Sequence, residues 1–407
     1  MSTKNIAVLA SAFLMQFATQ AQVINDQVSM GPGNANMIFY SLENGEISQF
    51  DQASWDIAFD VAPMGSTALI NTGLGSELYH YGSMAEWDLV DTAAIDTLTL
   101  YLNDHTAWAN GAFSQGGDGM FQIGWGTYDV ITHVVTGDNV YIQKLTDGSY
   151  KKVALMSLEG GAYEFKYANI DGSNENTILV DKADYEGKNF AFMNLATEEM
   201  HDIEPLEWDM VFMNYIVDFG GGFTYPVTGC LTNRGVTTQQ SDELLDPLYD
   251  DALDTLAMSE DANIIGYDWK SYDMDAGEYV LETERCYFLT SANGAIYRVV
   301  FTGYGGSANG DIDMSIVLEV ASDISVAEIS NDFNIYPNPV TNGNLNIAST
   351  INGAANVTIY NAAGQVVVSE MVQSNFNKVD VNGLPSGFYS VVLRSDAVRM
   401  QKALIIE

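Results

Sequence analysis

Four histidines and two cysteines are the residues of this chain with the most varied chemistry to offer. His80, His105, His133 and His201 are scattered, and no HExxH or paired spacing occurs, so no zinc motif is written locally. His80 stands out by its neighbours, in Leu78-Tyr-His-Tyr-Gly-Ser-Met84. Tyr79 and Tyr81 flank it and Met84 follows, so a nitrogen and a sulfur lone pair would share an aromatic, Gly-containing loop able to line an apolar slot. His133 lies in a β-branched run and reads as a half-exposed strand residue. His105 lies in Asn103-Asp-His-Thr-Ala-Trp108, a turn-like stretch where an imidazole is expected to be solvated. Cys230 and Cys286 form no CxxC; in an oxidising compartment they can pair, and their spacing leaves that open. Asp273-Met-Asp-Ala-Gly-Glu278 begins like a calcium loop, but Gly277 replaces a ligand and Glu278 replaces the turn glycine. Tyr279 to Glu284 reads instead as a strand. No GxSxG, Walker loop or GxGxxG is present, and no pair of the many carboxylates is singled out. The expectation is a protein that is not an enzyme.

The elements that must position these residues are strands. The chain has 407 residues, with 36 Gly, 22 Tyr and 18 Phe, and few amphipathic helical stretches, which predicts an all-β fold rich in turns. Lys and Arg number 15 against 54 Asp and Glu, a formal net charge of −39. Nucleic acid and anionic membrane surfaces are repelled by such a chain. Lys4, the apolar run Ile6 to Phe17 and Thr19-Gln-Ala21 read as a signal peptide over residues 1–21. No other stretch reaches the length of a membrane helix, so the mature protein is expected not to be transmembrane.

Residues 30 to 325 carry one pattern twice. Met37-Ile-Phe-Tyr and Ser54-Trp-Asp-Ile-Ala-Phe59 reappear as Phe190-Ala-Phe-Met and Glu207-Trp-Asp-Met-Val-Phe212, with Trp55 and Trp208 offset by 153 positions. Period two puts Trp55, Ile57 and Phe59 on one face, as core anchors, and likewise Trp208, Met210 and Phe212. Asn139 to Ala154 matches Arg285 to Val300, each a pair of strands around a tight turn, Asp147-Gly148 and Asn293-Gly294. Those dipeptides predict type I′ hairpins. A linker is expected near 170–176 and another near 322–331. A third segment opens with Phe333-Asn-Ile-Tyr-Pro-Asn-Pro339. It continues through Val357-Thr-Ile-Tyr-Asn-Ala-Ala-Gly-Gln-Val366, a hairpin signal, and Gly383-Leu-Pro-Ser-Gly-Phe-Tyr389. This reads as a small β-sandwich.

These motifs carry two resemblances. Residues 331–407 resemble the type A C-terminal sorting domain of the type IX secretion system of Bacteroidetes. That implies partnership with the secretion machinery and a destination outside the cell, anchored on the outer surface or released. Each repeat resembles the HmuY-like family of secreted haem-binding β-proteins, through the opening strands, the Trp-Asp element and the closing hairpin. The implied architecture is all-β: signal peptide 1–21, two tandem HmuY-like antiparallel β-domains over 22–172 and 177–322, and the sorting domain over 331–407. The implied cofactor is haem. Under that resemblance His80 is the candidate ligand of haem iron, with Met84, Tyr79 and Tyr81 lining the site. His105, Met120 and His133 are further candidates in the first repeat, and Tyr225, Tyr267 and Met274 in the second. Phe121-Gln-Ile-Gly-Trp-Gly126, where the family would place a ligand, carries no histidine. The reading is a secreted or surface-borne, non-enzymatic binding protein for haem; the alternative is a module of the same fold that binds a surface protein or a glycan.

Overall fold

A computed structural model describes residues 23–117, 119, 121–321, 333–340, 343–349, 355–361, 366–372, 376–394 and 399–406. The expected signal peptide, the 322–331 linker, Met120 and most of the Asn361-Ala-Ala-Gly364 turn lie outside these residues. The chain divides into two compact units, 1–322 and 323–407. The fold is all-β, and every described helix is a 3-10 turn of three to six residues.

In the first unit the chain runs through β1 (Val23–Ser29), β2 (Asn36–Ser41), β3 (Gly45–Asp51), β4 (Ile57–Asp60), β5 (Ala68–Ile70), β6 (Glu77–Ser83) and β7 (Thr99–Tyr101). It continues with β8 (Gly126–Tyr128), β9 (Val135–Gly137), β10 (Asn139–Lys144), β11 (Tyr150–Glu159), β12 (Ala162–Asn169) and β13 (Asn176–Asp181). Then follow β14 (Phe190–Asn194), β15 (Glu199–His201), β16 (Met210–Asp218), β17 (Thr224–Thr232) and β18 (Thr237–Ser241). The unit closes with β19 (Lys270–Asp273), β20 (Glu278–Leu281), β21 (Cys286–Thr290), β22 (Ile296–Tyr304) and β23 (Asp311–Val320).

These strands build four main sheets, all antiparallel. Two outer sheets run β1-β23-β22-β21-β18 and β13-β12-β11-β10-β6-β7, the second extended by β8 and β9; two inner ones run β17-β16-β2-β3 and β15-β14-β4-β5. Alternation along the inner strands sorts their side chains into different cores. Ile57 and Phe59 of β4 and Ala191 and Met193 of β14 face the larger outer sheet, whereas Ala58, Phe190 and Phe192 face the other inner sheet. Ile38 and Tyr40 of β2 and Met210 and Phe212 of β16 face the second outer sheet, whereas Met37, Phe39, Val211 and Met213 join Phe190 and Phe192. The unit is therefore four stacked layers with three cores between them, and two smaller clusters, around Trp87 and around Phe288, elsewhere in the unit. Inner strands covered on both faces read as continuous apolar runs, and these do.

The two repeats share these layers by exchanging strands. β2 belongs to the first repeat but pairs with β16, Phe39 opposite Val211. β14 belongs to the second repeat but pairs with β4, Phe192 opposite Ala58. The chain crosses between layers at 52–56 and again at 202–209, the two Trp-Asp elements. Both tryptophans are buried anchors, as expected, yet neither shares a face with the strand after it: Trp55 and Trp208 lie in the central core, whereas Ile57, Phe59, Met210 and Phe212 do not. The reason is that the strands begin only after the Trp-Asp pair, at Ile57 and Met210. Trp55 meets Phe192 edge-on at 5.2 Å and Trp208 meets Phe39 at 5.1 Å.

Two expectations need correction, and one open question is answered. The linker expected near 170–176 is the turn of the β12–β13 hairpin, closed by Asn169 N–H to Ser173 O and Gly172 N–H to Asn169 O. The closing hairpins are not type I′. Gly148 and Gly294 have positive φ but Asp147 and Asn293 do not, and bonds from Gly148 N–H to Leu145 O and from Gly294 N–H to Ser291 O define longer loops that end on a left-handed glycine. Cys230 and Cys286 are both free and buried, in separate clusters. The segment from Asp273 to Glu278 is the turn of the β19–β20 hairpin, where the Asp273 carboxylate accepts from Asp275 and Ala276 N–H.

The second unit has β24 (Phe333–Tyr336), β25 (Asn344–Ser349), β26 (Ala355–Asn361), β27 (Val366–Val372), β28 (Phe376–Asp380), β29 (Gly387–Arg394) and β30 (Arg399–Ile406). Sheets β24-β25-β28 and β27-β26-β29-β30 contribute Leu345, Ile347, Val357, Ile359, Val379, Val391 and Leu404 to one core, the small sandwich the sequence predicts.

Asp60, at the end of β4 and 1 % exposed, is held by both terminal nitrogens of Arg234, at 2.8 and 2.6 Å, from the turn after β17. This pair ties the two inner sheets together. Arg234→Ala leaves the buried carboxylate without its bidentate partner, with only the more distant Lys182 charge near it, so urea unfolding of the first unit is expected to show a loss of about 3 kcal/mol. A loss under about 1 kcal/mol would show that the pair is solvated in solution.

Candidate functional site

An open cleft of the first unit has a volume of about 630 Å³. One wall is the chain from Leu100 to Thr106 with Gln115; the other is the β16–β17 hairpin, with Tyr215 to Asp218, Gly222 and Thr224; Asn263 closes one side. The first repeat supplies the first wall and the second repeat the other. Asn103 pins the first wall to β5: its Nδ2 donates to Ile70 O at 2.6 Å, and its Oδ1 accepts from Ile70 and Ala112 N–H. The second wall can approach because Gly73 has no side chain; a Cβ there would lie 2.0 Å from Asn214 O.

His105 forms part of the lining. It is 8 % exposed, its ring meets Tyr215 at 5.0 Å, and its Nε2 lies 3.4 Å from Thr72 Oγ1. Burial pushes its pKa down to about 4, against a smaller opposing pull from Asp104. The imidazole is thus uncharged at neutral pH. On the inner side His105 also borders a small apolar cavity of about 20 Å³ among Trp55, Trp108, Phe190, Phe192 and Trp208, about the room of one water. Glu204 closes that cavity, its carboxylate accepting from Asn189 and Phe190 N–H and from Trp208 Nε1. Burial raises its pKa.

The hairpin wall ends in aromatic residues. Phe219-Gly-Gly-Gly-Phe223 turns through three glycines at φ 88, 66 and 81, a conformation that side chains disfavour. Phe219 is 50 %, Phe223 62 % and Tyr225 56 % exposed. Phe223 stacks on Tyr225 at 6.5 Å, and Phe219 meets Phe223 at 5.9 Å and Tyr267 at 6.0 Å. This is an exposed row of rings beside a cleft of mixed polar and apolar lining.

The candidates taken from the sequence do not assemble. His80 sits in β6, a strand between β10 and β7, not in a loop. Its ring packs by Tyr101 and Tyr141, and its Nε2 lies 3.3 Å from Asn139 Oδ1. Strand alternation sends Tyr79 and Tyr81 to the opposite face, where they and Met84 pack around Trp87, Val140 and Ile142. The Tyr79 hydroxyl donates to Glu77 and that of Tyr81 to Leu89 O. His133 is in a loop at φ 58, its Nδ1 2.6 Å from Tyr128 Oη, rather than in a strand. His105 is buried rather than solvated. Tyr225 and Tyr267 do meet the aromatic row, whereas Met274 is exposed at a separate hairpin turn. The sequence signal for that row was Phe-Gly-Gly-Gly-Phe between two apolar runs, which marks a hairpin tip with two rings on it. Among the described residues, no cluster of His, Cys, Asp and Glu could hold a metal ion, and no helix is long and apolar enough to cross a membrane.

Residues 334–407 match the secretion system C-terminal sorting domain. The chain is thereby a secreted or outer-surface-attached protein, routed by a sorting signal that engages the secretion machinery. No curated protein matches the chain. Among solved structures, one similar chain is described as PorZ, an essential bacterial surface component of the type-IX secretion system of human oral-microbiomic Porphyromonas gingivalis. It is 9 % identical, with a TM-score of 0.19, over 69 % of this chain and 41 % of that one. This chain therefore spans well under two thirds of that protein, and likeness at that level assigns neither fold nor function.

Two outcomes are expected. First, removing residues 334–407 holds the protein inside the outer membrane, read by cell fractionation; surface display of the truncated chain would contradict this. Second, His105 makes stability pH-dependent. Its folded pKa lies below the ordinary value of about 6.5, so below pH 6.5 the unfolded chain takes up a proton that the folded one does not. Stability from this group is present above pH 6.5 and falls, by up to about 3 kcal/mol, as pH drops toward 4. The stability gap between wild type and His105→Gln should therefore shrink between pH 7 and 4; a constant gap would refute the buried, neutral imidazole.

Proposed function

We propose that this protein is a non-enzymatic binding protein, displayed at the cell surface or released, whose cleft takes a neutral glycan. The observation that carries this is the row Phe219, Phe223 and Tyr225 standing exposed beside a cleft edged by Asp104, Gln115, Asp218 and Asn263. Sugar rings present C–H faces that stack on aromatic planes, and hydroxyls that pair with amides and carboxylates. A chain of net charge −39 disfavours polyanionic ligands and leaves neutral ones unaffected.

Haem is the second reading, favoured by the HmuY-like resemblance and by one observation. His105, an imidazole kept neutral, lies in the cleft with Tyr101, Tyr215, Leu100 and Leu102. A neutral ring nitrogen in a partly apolar cleft is what an axial ligand requires. In this reading His105 takes the role that the sequence suggested for His80. The acidic walls count against it, because haem carries two propionates.

A glycan array followed by calorimetry on the purified protein tests the first reading. Phe223→Ala with Tyr225→Ala should weaken the bound glycan about tenfold or more. Binding that ignores both changes would remove the cleft as its site. A haemin titration runs beside it. A saturable Soret band lost in His105→Ala but kept in His80→Ala would replace the glycan reading with the haem one.

A further inference from the structure

We propose that the first unit is a strand-exchanged dimer of two modules fused into one chain, and that its halves form an obligate complementing pair whose shared product is the ligand cleft. The pairing repeats with one offset. Phe39 against Val211 corresponds to Phe192 against Ala58, and Tyr40 against Met210 corresponds to Met193 against Ile57, every residue displaced by 153 positions in the exchanged sense.

The contacts that hold each exchanged strand repeat as well. Asp56 N–H donates to Met193 O, and Asp209 N–H donates to Tyr40 O. The Asp56 carboxylate accepts from Leu195 N–H, just past β14, and from Thr146 at the turn of its own hairpin. The Asp209 carboxylate accepts from Leu42 N–H, just past β2, and from Ala292 N–H at the matching turn. Asn71 Nδ2 donates to Trp55 O, and Asn233 Nδ2 donates to Trp208 O. Such duplicated, reciprocal contacts are those of an isologous interface, in which one patch serves both partners.

Each module alone would lack an inner strand and uncover one face of the central core, which is formed from Phe39, Trp55, Phe192 and Trp208 together. It would also lack one wall of the cleft. The inference concerns how the cleft is assembled and stands whichever ligand occupies it.

The test uses the whole chain with a protease recognition sequence inserted between Gly172 and Ser173, in the exposed turn of the β12–β13 hairpin. After cleavage the halves should co-elute in native buffer. After unfolding in urea they should regain native circular dichroism only when mixed, not singly. Halves that separate in native buffer, or that each refold alone as a monomer, would overturn the proposal. Calorimetry of the uncut chain guards against an insertion that fails to fold. The first unit should melt in one transition, lowered by Phe39→Ala and by Phe192→Ala alike. Two transitions, each moved by only one of these changes, would overturn it equally.

Discussion

The carboxylates of Asp56 and Asp209 join chain segments that come from different repeats. Each accepts N–H groups from its own module's closing hairpin and from the end of the strand lent by the other module. Both aspartates are buried, and buried carboxylates are costly unless their lone pairs are filled. The arrangement fills them with backbone donors that would themselves be orphaned at the ends of strands. For Asp209 desolvation still outweighs those bonds, because its pKa is raised. The tryptophan before each aspartate acts in the same place through area, with an edge-on contact to the borrowed strand's phenylalanine.

From that constraint the rest follows in order. Exchange of β2 and β14 requires two crossings, so the inner sheets lie back to back and are buried on both faces. Layering brings the loop after β7 against the β16–β17 hairpin, which creates the cleft. His105 is carried between the cleft and the small apolar cavity, where lost solvation keeps it neutral. The cleft therefore depends on which strand pairs with which repeat, through the position of one loop against one hairpin. Over the whole molecule the charge acts differently: it selects against anionic partners and adds little to the fold.

The candidate site was legible only in fragments. The Tyr-His-Tyr stretch read as a ligand loop because aromatic residues and histidine were counted without regard to pleat. In a strand, adjacent side chains leave on opposite faces, so Tyr79 and Tyr81 could not flank His80 within one pocket. His105 read as solvated because its neighbours are turn formers; its burial comes from β16, more than a hundred positions away. The Phe-Gly-Gly-Gly-Phe tip was readable as a turn, but its placement beside a cleft was not.

By itself the sequence determined that the chain is all-β, that it carries one pattern twice, and that its last segment is a sorting domain with its own sandwich core. Each of these is written in local periodicity, turn residues and a contiguous motif, and local information suffices for them. Tertiary structure alone decided which strand pairs with which copy, because β2 and β14 present the same apolar alternation to either partner. It likewise decided which histidine reaches a cleft. A repeat pattern specifies what can pair, whereas loop lengths and the fit of Trp55, Trp208 and the buried aspartates decide what does.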